Sequence, residues 1–372
     1  MLMPNSPPAP RTRDRSLDIV RVTALVFMVT AHWGRALQDS YQLVNILQFV
    51  FEVAPVLFFF AFGMTLEHFL RKPLARRIES HLKLFILAVV HSLYGQQTPL
   101  SSDFFMFLFA ARLLFDIHSQ ISAANRVLVA AFVLALCGAW VALPFPIAYD
   151  FFMPSFPGWF PVFPWILFVA AGRAYSRHRQ DPRTAAVALF GLSLALFDAL
   201  ILGNRLSKWP LSPDYALLFA SGTALAFIVL DRIRWPALLP WRTIELLSGN
   251  LLLATALHYV AVAVVTSTHH RLAPLLVAWV SERYLAPAFS LEYIVLAFAA
   301  VLILIGLVRG AVATAGWLDS RGILGTLDGL FPAIAVVGIV LYAGSLHLDA
   351  GLRLAGLPLL CSLALLMVYK RA

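Results

Sequence analysis

Residues 17–37 read LDIVRVTALVFMVTAHWGRAL. A helix rising 1.5 Å per residue needs about 20 mostly apolar residues to cross a hydrocarbon core of ~30 Å, and this block has that length and character. Eleven further blocks resemble it, near 43–66, 82–98, 101–117, 127–146, 161–177, 184–203, 214–231, 244–266, 286–308, 325–345 and 352–369. The third, fourth and sixth blocks are short or polar, so the expectation is ten to twelve spans.

Composition points the same way. Of the 372 residues 61% are hydrophobic and 13% charged, against roughly 25% charged in soluble domains. That leaves too little polar surface to cover a soluble globule. In lipid each backbone polar group must be bonded internally, which restricts long apolar blocks to helices. The short alternating segments of a membrane β-barrel are not seen. The expected fold class is therefore all-α, a polytopic transmembrane helix bundle. Residues 1–15, Pro-rich and basic, read as a disordered cytosolic tail rather than a signal peptide. Residues 16–372 read as one membrane domain.

The net charge of +9 would suit a nucleic-acid binder, but its distribution favours a membrane reading. With the N-terminus inside and the sides alternating, twenty of the 28 Lys and Arg residues fall on the inner side and six on the outer side. This is the asymmetry of the positive-inside rule. It predicts a multi-pass protein of the cell membrane with both termini cytoplasmic, and no nucleic-acid partner. Cys137 and Cys361 lie inside apolar blocks and suggest neither a disulfide framework nor a metal site.

Ionisable residues inside spans are costly and point to function. In the first span Asp18, Arg21 and His32 fall within a ~60° sector at 100° per residue. Asp18 and Arg21, at i,i+3, are expected to pair. His32 lies toward the outer half. In the ninth span Thr255, His258 and Tyr259 share a face. His258 there reads either as a proton-handling group or as one end of an interhelical hydrogen bond. Arg112 and Asp116, at i,i+4, are expected to pair. Glu52, Glu67, His68, His91, Asp103 and Asp198 are further polar points. The basic stretch 71–83, with Arg71, Lys72, Arg76 and Arg77, is the best inner anion site, although topology alone also explains it. Gly-rich phosphate loops, H-E-x-x-H and G-x-S-x-G are absent.

Arg15-Ser16-Leu17-Asp18-Ile19-Val20-Arg21, followed by Met28 and His32, resembles the R-x-x-LD-x-x-R-G … M-x-x-x-H start of membrane-bound acyltransferases. These include the acyltransferase-3 group and the bacterial relatives of heparan-α-glucosaminide N-acetyltransferase. Four further blocks resemble the second group in order: residues 54–64 (APVLFFFAFGM), Phe163-Pro164-Trp165-Ile166 with Gly172, 208–214 (KWPLSPD), and Leu247-Ser248-Gly249-Asn250 through His258. The resemblance covers about residues 11–265. It departs from the pattern at Val22, Ala31 and Thr255.

The resemblance implies a transferase that moves an acyl group, typically acetyl, from acyl-CoA on the cytosolic side to a carbohydrate-like hydroxyl or amine on the other. It makes His32 the general base or an acyl-carrying nucleophile, and His258 an orienting or polarising group. Asp18 and Arg21 would shape the inner mouth of the acyl-CoA tunnel, and Arg71, Lys72, Arg76 and Arg77 would meet its phosphates. Membrane lipid is an expected partner, and a homodimer is compatible with such a bundle. Two other readings of the same buried polar groups stay open: a proton-coupled transporter or flippase, and a scaffold in which they only fasten helices.

Overall fold

Proline and polar capping residues open several helices. The computed structural model describes residues 13–34, 50–94, 104–142, 162–202, 211–236 and 239–322, with Phe160, Leu206 and Lys208, and shows eleven helices among them. They are α1 (Arg15–Gly34), α2 (Ala54–Leu70), α3 (Leu74–Tyr94), α4 (Phe104–Gln120), α5 (Ala123–Ala142) and α6 (Val162–His178). They continue with α7 (Pro182–Ile201), α8 (Pro213–Arg232), α9 (Trp241–Gly249), α10 (Leu251–Trp279) and α11 (Glu282–Ser320). No strand occurs among the described residues. In α7, Asp181 accepts from Arg183 N at 2.9 Å, and in α8 Ser212 accepts from Tyr215 N at 3.2 Å; Pro follows each cap. The cap satisfies one orphan donor, and Pro at the first position gives up an N–H that has no helical acceptor.

The chain is an all-α bundle with the character of a membrane protein. Helices α1, α7, α8, α10 and α11 are long and apolar enough to cross a bilayer, and α2 and α5 contain shorter apolar stretches. Large apolar side chains face outward along α5 (Leu128, Phe132, Leu134) and α7 (Phe190, Phe197, Leu200). In water such faces would demand a partner; in a bilayer, lipid covers them. The centre holds Trp33, Phe59, Phe105, Phe107, Trp165 and Phe168, each almost fully buried. Phe59 packs edge-on to Trp165 at 5.8 Å and stacks with Phe104 at 5.3 Å.

The most extensive contact among the described helices is α2 against α6. A Cβ at Gly63 would stand 2.9 Å from Arg173 N and closer still to Val169 O. A Cβ at Gly172 would stand 2.8 Å from the Phe60 carbonyl carbon and closer still to its oxygen. The two glycines let the backbones touch, as small residues do between membrane helices. One end of the bundle is tied by ions. Arg173 and Arg177 both reach Glu67 at 2.6 Å, and Arg179 bridges Asp14 and Asp231. These contacts hold the Arg179 guanidinium even more firmly protonated than usual, chiefly through its hydrogen bond to Asp231.

Ten expected spans overlap described helices in part or whole, the ninth of them two, and 325–345 and 352–369 lie outside the described residues. Three local expectations are corrected. The ninth span is two helices, α9 and α10, separated at Asn250. Residues 267–285, which separate the ninth and tenth expected blocks, are nearly all helical, with a turn only at 280–281. There the Ser267 and Thr268 hydroxyls donate to the carbonyls of Ala263 and Val264, so polar residues sit in the helix by folding back on it. The basic stretch 71–83 is a short turn followed by the first half of α3.

Candidate active site

Parallel packing of α1 and the α9–α10 pair aligns the two polar stripes. At the lower level Ser248 donates to Asp18 Oδ1 at 2.5 Å. Arg13 also donates to Asp18, and its Nη2 reaches Glu245 O at 3.0 Å. At the upper level His32 Nδ1 and His258 Nε2 are 2.8 Å apart. The two histidines expected to act together therefore touch. Tyr259 lies over both rings, 4.0 Å from His258 and 5.2 Å from His32 by centroids.

The hydrogen-bond chain assigns the tautomers. His258 Nδ1 donates to the Thr255 carbonyl oxygen one turn earlier. In the neutral ring Nε2 then carries the lone pair and accepts from His32 Nδ1–H. The same logic leaves the His32 lone pair on Nε2. A proton taken there produces an imidazolium whose Nδ1–H already points at His258. A carbonyl orients His258, which orients His32, much as a carboxylate orients the base in a hydrolase triad.

Below this pair the helix break opens a cavity of about 330 Å³, lined by Ser248 through Leu253, Thr255, Arg21, Arg112 and aromatic side chains of α2 and α4. Gly249 and Asn250 are poor helix formers. Asn250 leaves helical geometry at φ −114°, ψ 37°, while its amide side chain donates to Leu246 O at 2.9 Å. Irregular backbone at membrane depth is tolerated where it lines a cavity. Thr255 is 2% exposed, and its hydroxyl has no hydrogen-bond partner among the described residues.

Several expected pairings are replaced by others. Asp18 is held by Arg13 and Ser248 rather than by Arg21, and Arg21 turns into the cavity. Asp116 does not pair with Arg112. It accepts from Arg77 and from His81 Nε2, the latter at 2.9 Å, with all three residues buried. Helix α3 brings a cation and a ring directly onto the carboxylate, which displaces its neighbour along α4. Arg112 instead donates to Ser80 O at 2.9 Å and lies over the Phe69 ring. Arg77 is therefore committed to Asp116 and is not an exposed phosphate ligand. Arg71 and Lys72 are exposed in the turn, and Arg76 bonds Glu79 at 3.1 Å.

Arg112 as a cavity residue was not separable in sequence from an ordinary helix-surface ion pair. A second buried pair was missed altogether. His269 Nδ1 meets Glu292 Oε1 at 3.0 Å beside the Trp33 ring, and Glu292 Oε2 is buried without a partner among the described residues. The signal was present in the eleven-residue spacing from His258 to His269, which returns to within ~20° on one helix face. No metal-holding cluster of His, Cys, Asp or Glu is found among the described residues. No family model, curated protein or solved structure matches the chain.

Proposed function

We propose that the protein is a membrane-embedded acyltransferase in which His32 is the general base, as its resemblance to membrane-bound acyltransferases implies. The observation that carries this reading is the contact of His32 Nδ1 with His258 Nε2 at 2.8 Å, backed by the Thr255 carbonyl. Paired histidines buried in an apolar bundle serve poorly as a fastener. They serve well as a base whose conjugate acid is stabilised by a neighbour.

The chemistry runs as follows. An acceptor hydroxyl or neutral amine gives its proton to His32 Nε2 as its oxygen or nitrogen attacks the acyl-CoA thioester carbonyl. The resulting oxyanion needs a donor beside the histidine pair. The C–S bond then breaks, and the coenzyme A thiolate takes the proton back from His32. The overall exchange is proton-neutral for a hydroxyl or neutral-amine acceptor. Charge asymmetry supports a cytosolic donor side, cytoplasmic termini and a cell-membrane location. The acceptor is then a sugar-like group reached from the opposite face. A homodimer would leave this site intact within each chain.

The helix break at Asn250 favours a second reading, a proton-coupled carrier, since transporters build substrate sites on discontinuous helices. One experiment separates the two. Purified protein is reconstituted in vesicles with radiolabelled acetyl-CoA and a mixture of sugar acceptors. Free coenzyme A that appears with the wild type and not with His258→Ala supports transfer. Solute movement without coenzyme A release would replace the acyltransferase reading with the carrier.

A further inference from the structure

Arg21 and Arg112 converge on the cavity from α1 and α4, and both are partly buried. Among the described residues neither has a carboxylate within ion-pair distance. Asp18 is taken by Arg13 and Ser248, and acts on Arg21 only from further away. Asp116 is taken by Arg77 and His81. Arg112 spends two nitrogens on Ser80, while its Nε is buried without a partner. Two guanidinium charges inside a membrane bundle without a directly paired carboxylate are costly; Asp18 and Asp116 act on them only from a distance. The same cavity is lined by Leu251 to Leu253 at the start of α10, the end of a 29-residue helix that carries the positive pole of its dipole. The unpartnered Thr255 hydroxyl, on a residue only 2% exposed, completes the wall.

We infer that this cavity is an oxyanion site for a phosphate or diphosphate ester, held between Arg21, Arg112 and the amino end of α10. Apolar walls of Phe58, Phe62 and Phe104 leave room for an uncharged arm leading away from the phosphates toward the histidines. Arg21 and His32 are eleven residues apart on one helix, about 16 Å at 1.5 Å per residue. The arm of coenzyme A between its inner phosphorus and its sulfur has about thirteen bonds. With bond lengths like those of peptides it extends roughly 16 Å. The inference deepens the acyltransferase reading and in that form rests on it: the donor's diphosphate lies at the helix break, which brings its thioester to His32. It moves the phosphate site from the basic turn at 71–73 to the inside of the bundle.

The test uses the purified full chain in detergent and measures binding of 3′-dephospho-coenzyme A, pantetheine and inorganic pyrophosphate. Each is run against Arg21→Gln, Arg112→Gln and the double variant. The expected result is a roughly tenfold or larger loss of dephospho-coenzyme A affinity in each single variant, with the weak binding of pantetheine unchanged. Arg21→Lys, which keeps the charge but not the fork, should recover part of the loss. A thermal melt guards against misfolding: pyrophosphate should raise the midpoint of the wild type and not that of the double variant. If pyrophosphate binds in an Arg21- and Arg112-dependent way and coenzyme A does not bind, the oxyanion site stands and the acyl-CoA reading falls. Unchanged affinities in the double variant, loss confined to Arg71→Gln or Arg76→Gln, or no binding of any phosphate probe would overturn the site.

Discussion

Arg77, His81 and Asp116 are buried together at 7%, 8% and 7% exposure. Removing the carboxylate would leave a cation without its partner, a loss that costs about 3–5 kcal/mol in buried pairs. Asp116→Asn is therefore expected to lower the thermal midpoint of the detergent-solubilised protein strongly. Arg76→Gln, at an exposed ion pair worth ~0–1 kcal/mol, should barely move it. Sequence spacing pointed to the wrong partner because i,i+4 geometry reports only contacts within one helix. Arg77 and His81 come from the preceding helix, 39 and 35 positions away. The site residues were more legible. Helical periodicity placed Asp18, Arg21 and His32 on one stripe, and Thr255 and His258 on another. Their contact needed the parallel register of α1 and α10, which no local pattern encodes.

Helices α2 and α6 meet through Gly63 and Gly172, where an added methyl would press on backbone rather than on a movable side chain. Gly63→Ala or Gly172→Ala is expected to cost about 1–3 kcal/mol, the range for overpacking, read as a lower unfolding midpoint. Gly191→Ala should cost less, because its nearest neighbour is the Ser221 hydroxyl, which can rotate away. The break at Asn250 is a second element-scale device. Asn250→Leu favours one continuous helix from α9 into α10. It should shrink the cavity and lower coenzyme A release at least tenfold while the protein still inserts in the membrane; undiminished release would separate the break from catalysis. The sequence suggested a single span here because hydrophobicity runs through the break. It left 267–285 between two apolar blocks because His269, His270 and Arg271 interrupt the hydrophobic run. The Ser267 and Thr268 hydroxyls bond back along the helix, and His269 finds Glu292.

At the scale of the molecule, the proposed topology puts the turns at 71–73, 121–122 and 179–181 and the residues 233–236 on one face, and the turn at 280–281 on the other. Positive charge concentrates on the first face, which the account places in the cytosol. After Cys137 and Cys361 are replaced, Lys72→Cys and Arg234→Cys should be labelled by an impermeant thiol reagent only once the membrane is opened. Ser281→Cys should be labelled in intact cells. Labelling of all three from one side would contradict the topology. The composition made the bundle legible, because helices are the way such long apolar blocks satisfy their backbone in lipid. What it could not supply was the vertical order of the site, with arginines at the helix break and histidines about 16 Å above. That order matters only if His32 moves the proton. The most direct measurement is single-turnover release of coenzyme A from acetyl-CoA by wild type and His32→Ala, inserted in membranes at equal amounts. A positioned general base contributes 10²–10⁴-fold, and the account predicts a loss of roughly that size. Release within about threefold of wild type would contradict it.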